Sequence, residues 1–340
     1  MNSLQEPLRA AVIGVGMMGQ HHARIYDQMS TARLVGVADT NAGHGEQIAR
    51  LHHTVAYTDY SRLLDETRPD VVTVAVPTES HLSVALAAMK AGCHVLIEKP
   101  IAATEEEAQN LIEQAEALGR KLMVGHIVRF DPAVQALKQR LEDGELGRIF
   151  QVRCRRLGPF PARVRDVGVV IDLATHDLDM MRYVTGQEIV RLYAETEQEI
   201  HSDYEDILVG TVRLVDGTIG VLDVNWLTPT KIRELTVTGE RGMFLVDHLT
   251  QDLYFYENAE ANRERWDAIS LLRGVSEGRV IRYPLQKYEP LRAELEAFVR
   301  AVMEDAPVPV PGQDGLAALR LARALVRSGR EGRAVVMERG

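Results

Sequence analysis

The chain has 340 residues, 46% of them hydrophobic and 26% charged, which suits about two globular domains, each with a sizeable core. Its net charge of −10 argues against non-specific nucleic-acid binding. No run of 18 apolar residues marks a membrane span, no basic-then-apolar leader opens the sequence, and Cys93 and Cys154 form no CxxC pair, so a cytoplasmic protein without a membrane segment is expected.

Leu8–Ile13 reads as a strand that runs into Gly14-Val-Gly16-Met17-Met18-Gly19 and then a helical stretch to Gln28. A GxGxxG motif is weak alone but informative between a strand and a helix. Gly14 permits a tight turn, Gly16 lets the backbone approach a pyrophosphate, and Gly19 lets helix and strand pack closely. The helix N-terminus then offers N–H groups to the phosphates. Arg33–Ala38 is a second strand ending in Asp39, placed where an acid accepts from the ribose hydroxyls of NAD and repels the 2′-phosphate of NADP. The alternative is that Asp39 caps the next helix.

A short strand at Val55–Tyr57, a helix at Ser61–Thr67, a buried strand at Val71–Val76 and a helix at Leu82–Ala91 follow. His94–Ile97 is the next strand and ends in Glu98-Lys99-Pro100. Thr104 and Glu107 make a capping box for the helix Thr104–Leu118, and Lys121–Val124 closes this half. Strands alternating with helices predict a doubly wound parallel sheet with ligand loops at the C-terminal strand ends. Lys99 stands at such an end, where an ammonium can donate to a hydroxyl that is losing its proton; the alternative is an ordinary surface lysine.

In the second half, Phe130–Asp143 reads as a helix and Ile149–Leu157 as a strand. Alternation along that strand sends Arg153 and Arg155 to one face and Arg156 to the other; that cluster either meets an anionic substrate or is a solvated sheet face. Arg163 and Arg165 lead toward the next helix and suit a phosphate-bearing substrate. In that helix Asp172, His176 and Asp179 fall at i, i+4 and i+7, so all three share one face. A carboxylate one turn before an imidazole can hold its tautomer and make it a general base; the alternative is a polar surface face. Val190–Glu197, Asp206–Leu214, Thr218–Trp226, Lys231–Thr238, Gly242–Asp247 and Asp252–Tyr256 read as strands, with tight turns at Asp216-Gly217 and Gly239–Gly242. They predict a largely antiparallel open sheet, packed on helices on one face and free for a partner subunit on the other. Asn258–Gly278 reads as a loop, Tyr288–Met303 as a helix, Pro307–Pro311 as an extended linker and Asp314–Ser328 as a last helix. The division expected is residues 1–125 for the Rossmann domain and 126–340 for an α+β substrate and oligomerisation domain, with the helix 314–328 packing back on the first. No metal site is expected.

Taken together, Gly14-x-Gly16-x-x-Gly19, Pro77-x-x-x-His81, Ala91-Gly92-x-His94-Val95-Leu96-x-Glu98-Lys99-Pro100 and Asp172-x-x-x-His176-Asp177 resemble the glucose–fructose oxidoreductase, inositol dehydrogenase and MocA family. The resemblance spans nearly the whole chain. It implies an NAD-dependent oxidoreductase, with Lys99 and His176 as the catalytic pair and Asp172 assisting. It also implies that Met17, Met18, Val76, Pro77, Thr78, His81, Glu98 and Lys99 join the glycines and Asp39 around the cofactor. A narrower likeness runs through Val124–Ala133 and Leu157–Asp172, to members that oxidise UDP-N-acetylglucosamine at C3. It implies a nucleotide-sugar substrate met by Lys99, Arg129, Arg163, Arg165, Asp172 and His176; the free face of the C-terminal sheet suits a homodimer or homotetramer. Asp166 and Val167 stand where the family has glycines, which departs from the polyol-oxidising pattern. The rivals are an inositol or free-hexose dehydrogenase of the same family and a non-catalytic NAD-dependent regulator on the same fold.

Overall fold

Residues 6–161, 167–200, 203–259 and 277–337 are described by a computed structural model. The chain divides into two units, one of residues 1–127 with 289–320, the other of 128–288 with 321–340. The segment 289–320 groups with the first unit; the sequence division at 125/126 expected only the helix 314–328 to pack back on it.

The first unit is built on strands apolar on both sides. β1 (Leu8–Ile13), β2 (Ala32–Ala38), β3 (Ala56–Tyr57), β4 (Val71–Val74), β5 (His94–Ile97) and β6 (Leu122–Val124) form one parallel sheet in the order β3-β2-β1-β4-β5-β6. Helices α1 (Gly19–Gln28), α2 (Ala42–Leu51), α3 (Tyr60–Thr67), α4 (His81–Lys90) and α5 (Glu105–Ala117) connect the strands. This is the doubly wound parallel sheet expected from the sequence, with order reversing beside β1. The Thr104 hydroxyl caps α5 by accepting from Glu107 N–H at 3.1 Å, and Glu107 returns a bond to Ala103 N–H. The predicted strand Val71–Val76 stops at Val74, and Pro77 opens a 3-10 turn instead. The Pro307–Pro311 stretch is no free linker. Val310 is fully buried and its carbonyl accepts from Val124 N–H, beside β6.

In the second unit, α6 (Pro132–Glu142) precedes β7 (Ile149–Pro159), and a π turn at Val170–Ala174 leads into α7 (Thr175–Thr185). Then come β8 (Ile189–Glu197), β9 (Ile207–Leu214), β10 (Ile219–Asn225), β11 (Leu227–Gly239), β12 (Gly242–Asp247), β13 (Asp252–Asn258), β14 (Glu277–Arg282) and β15 (Val335–Val336). The sheet order is β14-β13-β12-β11-β7-β10-β9-β8-β15, and every pair is antiparallel except β7 with β10. Two helices complete the chain, α8 (Pro290–Met303) in the first unit and α9 (Gly312–Glu331), whose residues 321–331 belong to the second. The turns expected at Asp216-Gly217 and Gly239–Gly242 close the β9–β10 and β11–β12 hairpins. Of the loop expected at Asn258–Gly278, residues 260–276 lie outside the described residues, and its end is strand β14. One face of the sheet carries Val152, Cys154, Leu222, Val224, Leu235, Val237 and Phe244 into a core with α6, α7 and the end of α9. The other face presents paired rows such as Ile219, Gln151, Thr238, Met243, Tyr256 and Val280.

Candidate active site

In the first unit the candidate residues gather at the C-terminal ends of the parallel strands. Gly14 has φ of +83°, and a Cβ there would stand 2.5 Å from the Ala75 carbonyl oxygen. A Cβ on Gly19 would stand 1.8 Å from the Gly14 oxygen, so both positions require glycine. Gly16 differs: nothing lies within 4 Å of its missing Cβ. That open backbone before the uncapped start of α1 fits a pyrophosphate, the group that NAD or NADP would place there. Met17 is exposed at the tip of the turn and Met18 half-buried behind it.

Asp39 follows β2 with its carboxylate turned toward this turn. It accepts from Val15 N–H at 3.0 Å and from Asn41 N–H at 2.9 Å. Asn41, not Asp39, caps α2, by accepting from His44 N–H. An ionised carboxylate has about four acceptor sites, so Asp39 retains capacity for ribose hydroxyls. Val76, Pro77 and Thr78 form the turn after β4, and the Val76 side chain would lie 2.9 Å from a Gly14 Cβ. His81 is buried, and its ring nitrogens face the carbonyls of Val76 and Pro100, each at 2.9 Å. Burial pushes its pKa down, against the pull of those carbonyls, and the ring stands between two backbone segments.

Glu98 points inward. Its Oε1 accepts from His22 Nε2–H at 2.9 Å and its Oε2 from the Lys99 backbone N–H at 3.2 Å. The adjacent Lys99 is half-buried at the end of β5. The sequence reading passed over His22. The available signal was a polar residue in line with Gly19, Ala23 and Tyr26, the inner face of α1.

In the second unit the helix predicted around Asp172 is not uniform. Asp172 sits in the π turn, where five-residue hydrogen bonds replace four-residue ones, and His176 follows in the first turn of α7. Asp172 and His176 are half-buried, whereas Asp179 is buried and paired with Arg129. That pair is a fork: Arg129 Nε donates to Asp179 Oδ2 at 2.8 Å and Nη2 donates to Oδ1, with the guanidinium 4.9 Å from the Tyr183 ring centre. Arg129, expected at the substrate, is thus engaged with α7. On β7 the expected alternation holds. Arg153 is exposed and Arg155 pairs with Glu234 and Asp223, while Arg156 is buried against Asp177. Arg163 and Arg165 lie outside the described residues.

Three more residues shape this site. Glu205 takes the Val170 N–H at 3.3 Å on its Oε1, placing a carboxylate at the positive end of the helix. A Cβ on Gly168 would stand 2.2 Å from the Glu205 carboxylate, so that glycine admits the cap. Arg156 and Arg233 both lie within electrostatic reach of Asp172 and Asp177. Burial pulls the Arg156 guanidinium down, but Asp177 outweighs it; burial and then Arg156 hold Arg233 below its usual value. Among the described residues no cluster of three His, Cys, Asp or Glu side chains is placed to hold a metal ion, and no helix is long and apolar enough to cross a membrane.

This geometry can be set beside known proteins. Residues 8–126 match the model of an oxidoreductase family with an NAD-binding Rossmann fold, and residues 134–245 match the GFO/IDH/MocA C-terminal domain. The UDP-N-acetylglucosamine 3-dehydrogenase of Acidithiobacillus ferrooxidans is 33% identical over 93% of this chain and 95% of its own. Its solved structure superposes with a TM-score of 0.85, covering 95% of this chain and 98% of that one. The myo-inositol 2-dehydrogenase of Thermotoga maritima is 26% identical over 97% of this chain and 99% of its own.

Proposed function

The chain belongs to the Gfo/Idh/MocA family of oxidoreductases, and from that premise we propose that it oxidises a sugar hydroxyl with NAD, C3 of UDP-N-acetylglucosamine first among the substrates. The 33% identity to a UDP-N-acetylglucosamine 3-dehydrogenase over nearly the full length carries the substrate choice. When bound, NAD supplies the hydride acceptor. His176 takes the hydroxyl proton, Asp172 holds the imidazole in the accepting tautomer, and the Lys99 ammonium stabilises the developing alkoxide. The glycine turn, with Met17 and Met18, holds the pyrophosphate, and Asp39 selects NAD over NADP. Val76, Pro77, Thr78, His81 and Glu98 shape the nicotinamide end. Arg163 and Arg165 hold the diphosphate of the substrate. Arg129 acts on substrate indirectly, through Asp179 on α7.

The inositol reading has its own support in the 26% identity to an inositol dehydrogenase over 97% of this chain. One assay separates the two: NAD reduction with UDP-N-acetylglucosamine, free N-acetylglucosamine, myo-inositol and glucose. The UDP-sugar should be fastest and the free sugar strongly impaired, because remote binding energy supports the chemical step. Faster turnover of myo-inositol or glucose overturns the substrate. Lys99→Ala and His176→Ala should each lower turnover by about 10² or more while NAD still binds, and near-normal turnover in either removes that residue from the mechanism. The face of the second sheet on which Ile219, Tyr256 and Val280 are exposed is assigned to a second copy of the chain. A monomer in sedimentation equilibrium overturns that assignment.

A further inference from the structure

Beneath Lys99 the first unit buries two carboxyl groups and an imidazole that the reaction does not itself require. Glu98 receives the His22 Nε2–H and the Lys99 N–H, as described. A carboxylate only accepts, so Nε2 is the ring nitrogen that donates. His22 is fully buried on α1, the helix that begins at the glycine turn. Glu294, on α8, is also fully buried, and neither of its oxygens meets a hydrogen-bond partner among the described residues. The other titratable groups around this cluster are Tyr26 on α1, His81 on α4, Lys99 itself, and His126 next to Gly125, whose missing Cβ would stand 3.2 Å from Glu98 Oε2.

The two carboxyls are not equivalent. Burial pushes Glu98 up, but the His22 hydrogen bond, the charges of His22 and Lys99, and the Lys99 N–H together hold it below the usual carboxylate range. Burial and then the charge of Glu98 push Glu294 well above that range. Two nearby carboxylates in a dry interior do not both stay ionised.

We propose that His22, Glu98 and Glu294 sort one negative charge, with Glu98 keeping it beside Lys99 as a positioning residue for that ammonium and Glu294 remaining a neutral acid. The assignment rests on the reading of Lys99 as the group that stabilises the alkoxide. Its effect is to hold a negative charge next to the lysine at the end of β5. Glu294 adds no second charge to compete for it.

The test does not need a substrate. Infrared difference spectra of the whole protein at neutral pH should show the carbonyl band of a buried protonated acid, lost in Glu294→Gln and retained in Glu98→Gln. A wild type without that band, or a band that survives Glu294→Gln, overturns the proposal, and neither result depends on Glu98→Gln folding. Labelling of Lys99 by an amine-reactive reagent at about pH 8, read by peptide mass spectrometry, should rise about threefold or more in Glu98→Gln, because loss of a neighbouring negative charge favours the free amine. In Glu294→Gln it should stay within about 1.5-fold, since a neutral group replaces a neutral group. Equal labelling in wild type and Glu98→Gln, or a rise in Glu294→Gln, overturns the proposal. Failure to oxidise any sugar leaves these readouts unchanged and counts against the proposed function alone.

Discussion

Two buried arginine–aspartate pairs hold α7, and they should respond differently to removal. Arg156 donates from Nε at 2.9 Å and Nη2 at 2.8 Å, but both bonds go to the same oxygen, Asp177 Oδ1. Asp177 Oδ2 is buried with no hydrogen-bond partner among the described residues. The pair therefore bears the desolvation of two charges without the full set of bonds that offsets it. Arg156→Met alone leaves Asp177 charged and buried, which should cost about 3–5 kcal/mol. For a unit of this size even 3 kcal/mol lowers Tm by about 6–12 °C. Replacing both, Arg156→Met with Asp177→Leu, removes the uncompensated charge and should return stability to within about 1 kcal/mol of wild type. The same double exchange at Arg129 and Asp179 should not recover, because that fork uses both carboxylate oxygens. Guanidinium unfolding followed by tryptophan fluorescence measures this. Trp226 is buried in the second unit, and a Trp266→Phe background leaves it as the only tryptophan. A cost below about 1 kcal/mol for Arg156→Met, or a double variant as unstable as the single, would refute the argument.

Asp39→Ala should narrow a preference for NAD over NADP of at least about tenfold, measured by titration calorimetry; equal affinities in the wild type remove the role given to Asp39. Because Asp39 also accepts from Val15 and Asn41, the variant should lose about 0.5–1.5 kcal/mol of stability as well. Gly19→Ala should abolish measurable NAD binding and lower stability by at least about 1–3 kcal/mol, as the new Cβ has no space beside the Gly14 oxygen; an alanine variant that binds normally contradicts the turn geometry. Asp252 is held down to about 2, first by Lys287 and then by Arg282. Its stabilisation is complete above the ordinary carboxylate range and is lost as pH falls toward 2, so Asp252→Asn should be less stable than wild type at pH 7, with the gap closing in acid unfolding. A gap that is constant with pH removes the charge from the explanation.

The local signals that the sequence displayed plainly were those set by backbone sterics or periodicity. The glycines at 14 and 19, the Thr104 cap and the hairpin at Asp216-Gly217 each follow from rules that act within a few residues. What escaped the sequence depends on partners distant along the chain. His22 meets Glu98 across 76 residues, and Arg129 meets Asp179 across 50. No local pattern announces either pairing. The π turn escaped for another reason: the periodicity of residues 169–183 is compatible with an unbroken α-helix, and the insertion shows only in the hydrogen bonds. Strands β14 and β15 are short sheet-edge segments whose partners, β13 and β8, lie elsewhere in the sequence.

The placement of α8 bears on how the protein is made. Leu291, Leu295 and Phe298 of this helix are buried, and it packs on α1, yet the whole of residues 128–288 is synthesised between the two. At about 5–20 residues per second, the roughly 175 residues from 127 to 303 take about 9–35 s to emerge. Throughout that interval the nascent parallel sheet carries an unsheathed apolar flank. A ribosome-stalled chain ending near residue 127 should therefore be protease-sensitive and chaperone-bound, and resistance should arrive only once residue 303 has cleared the exit tunnel.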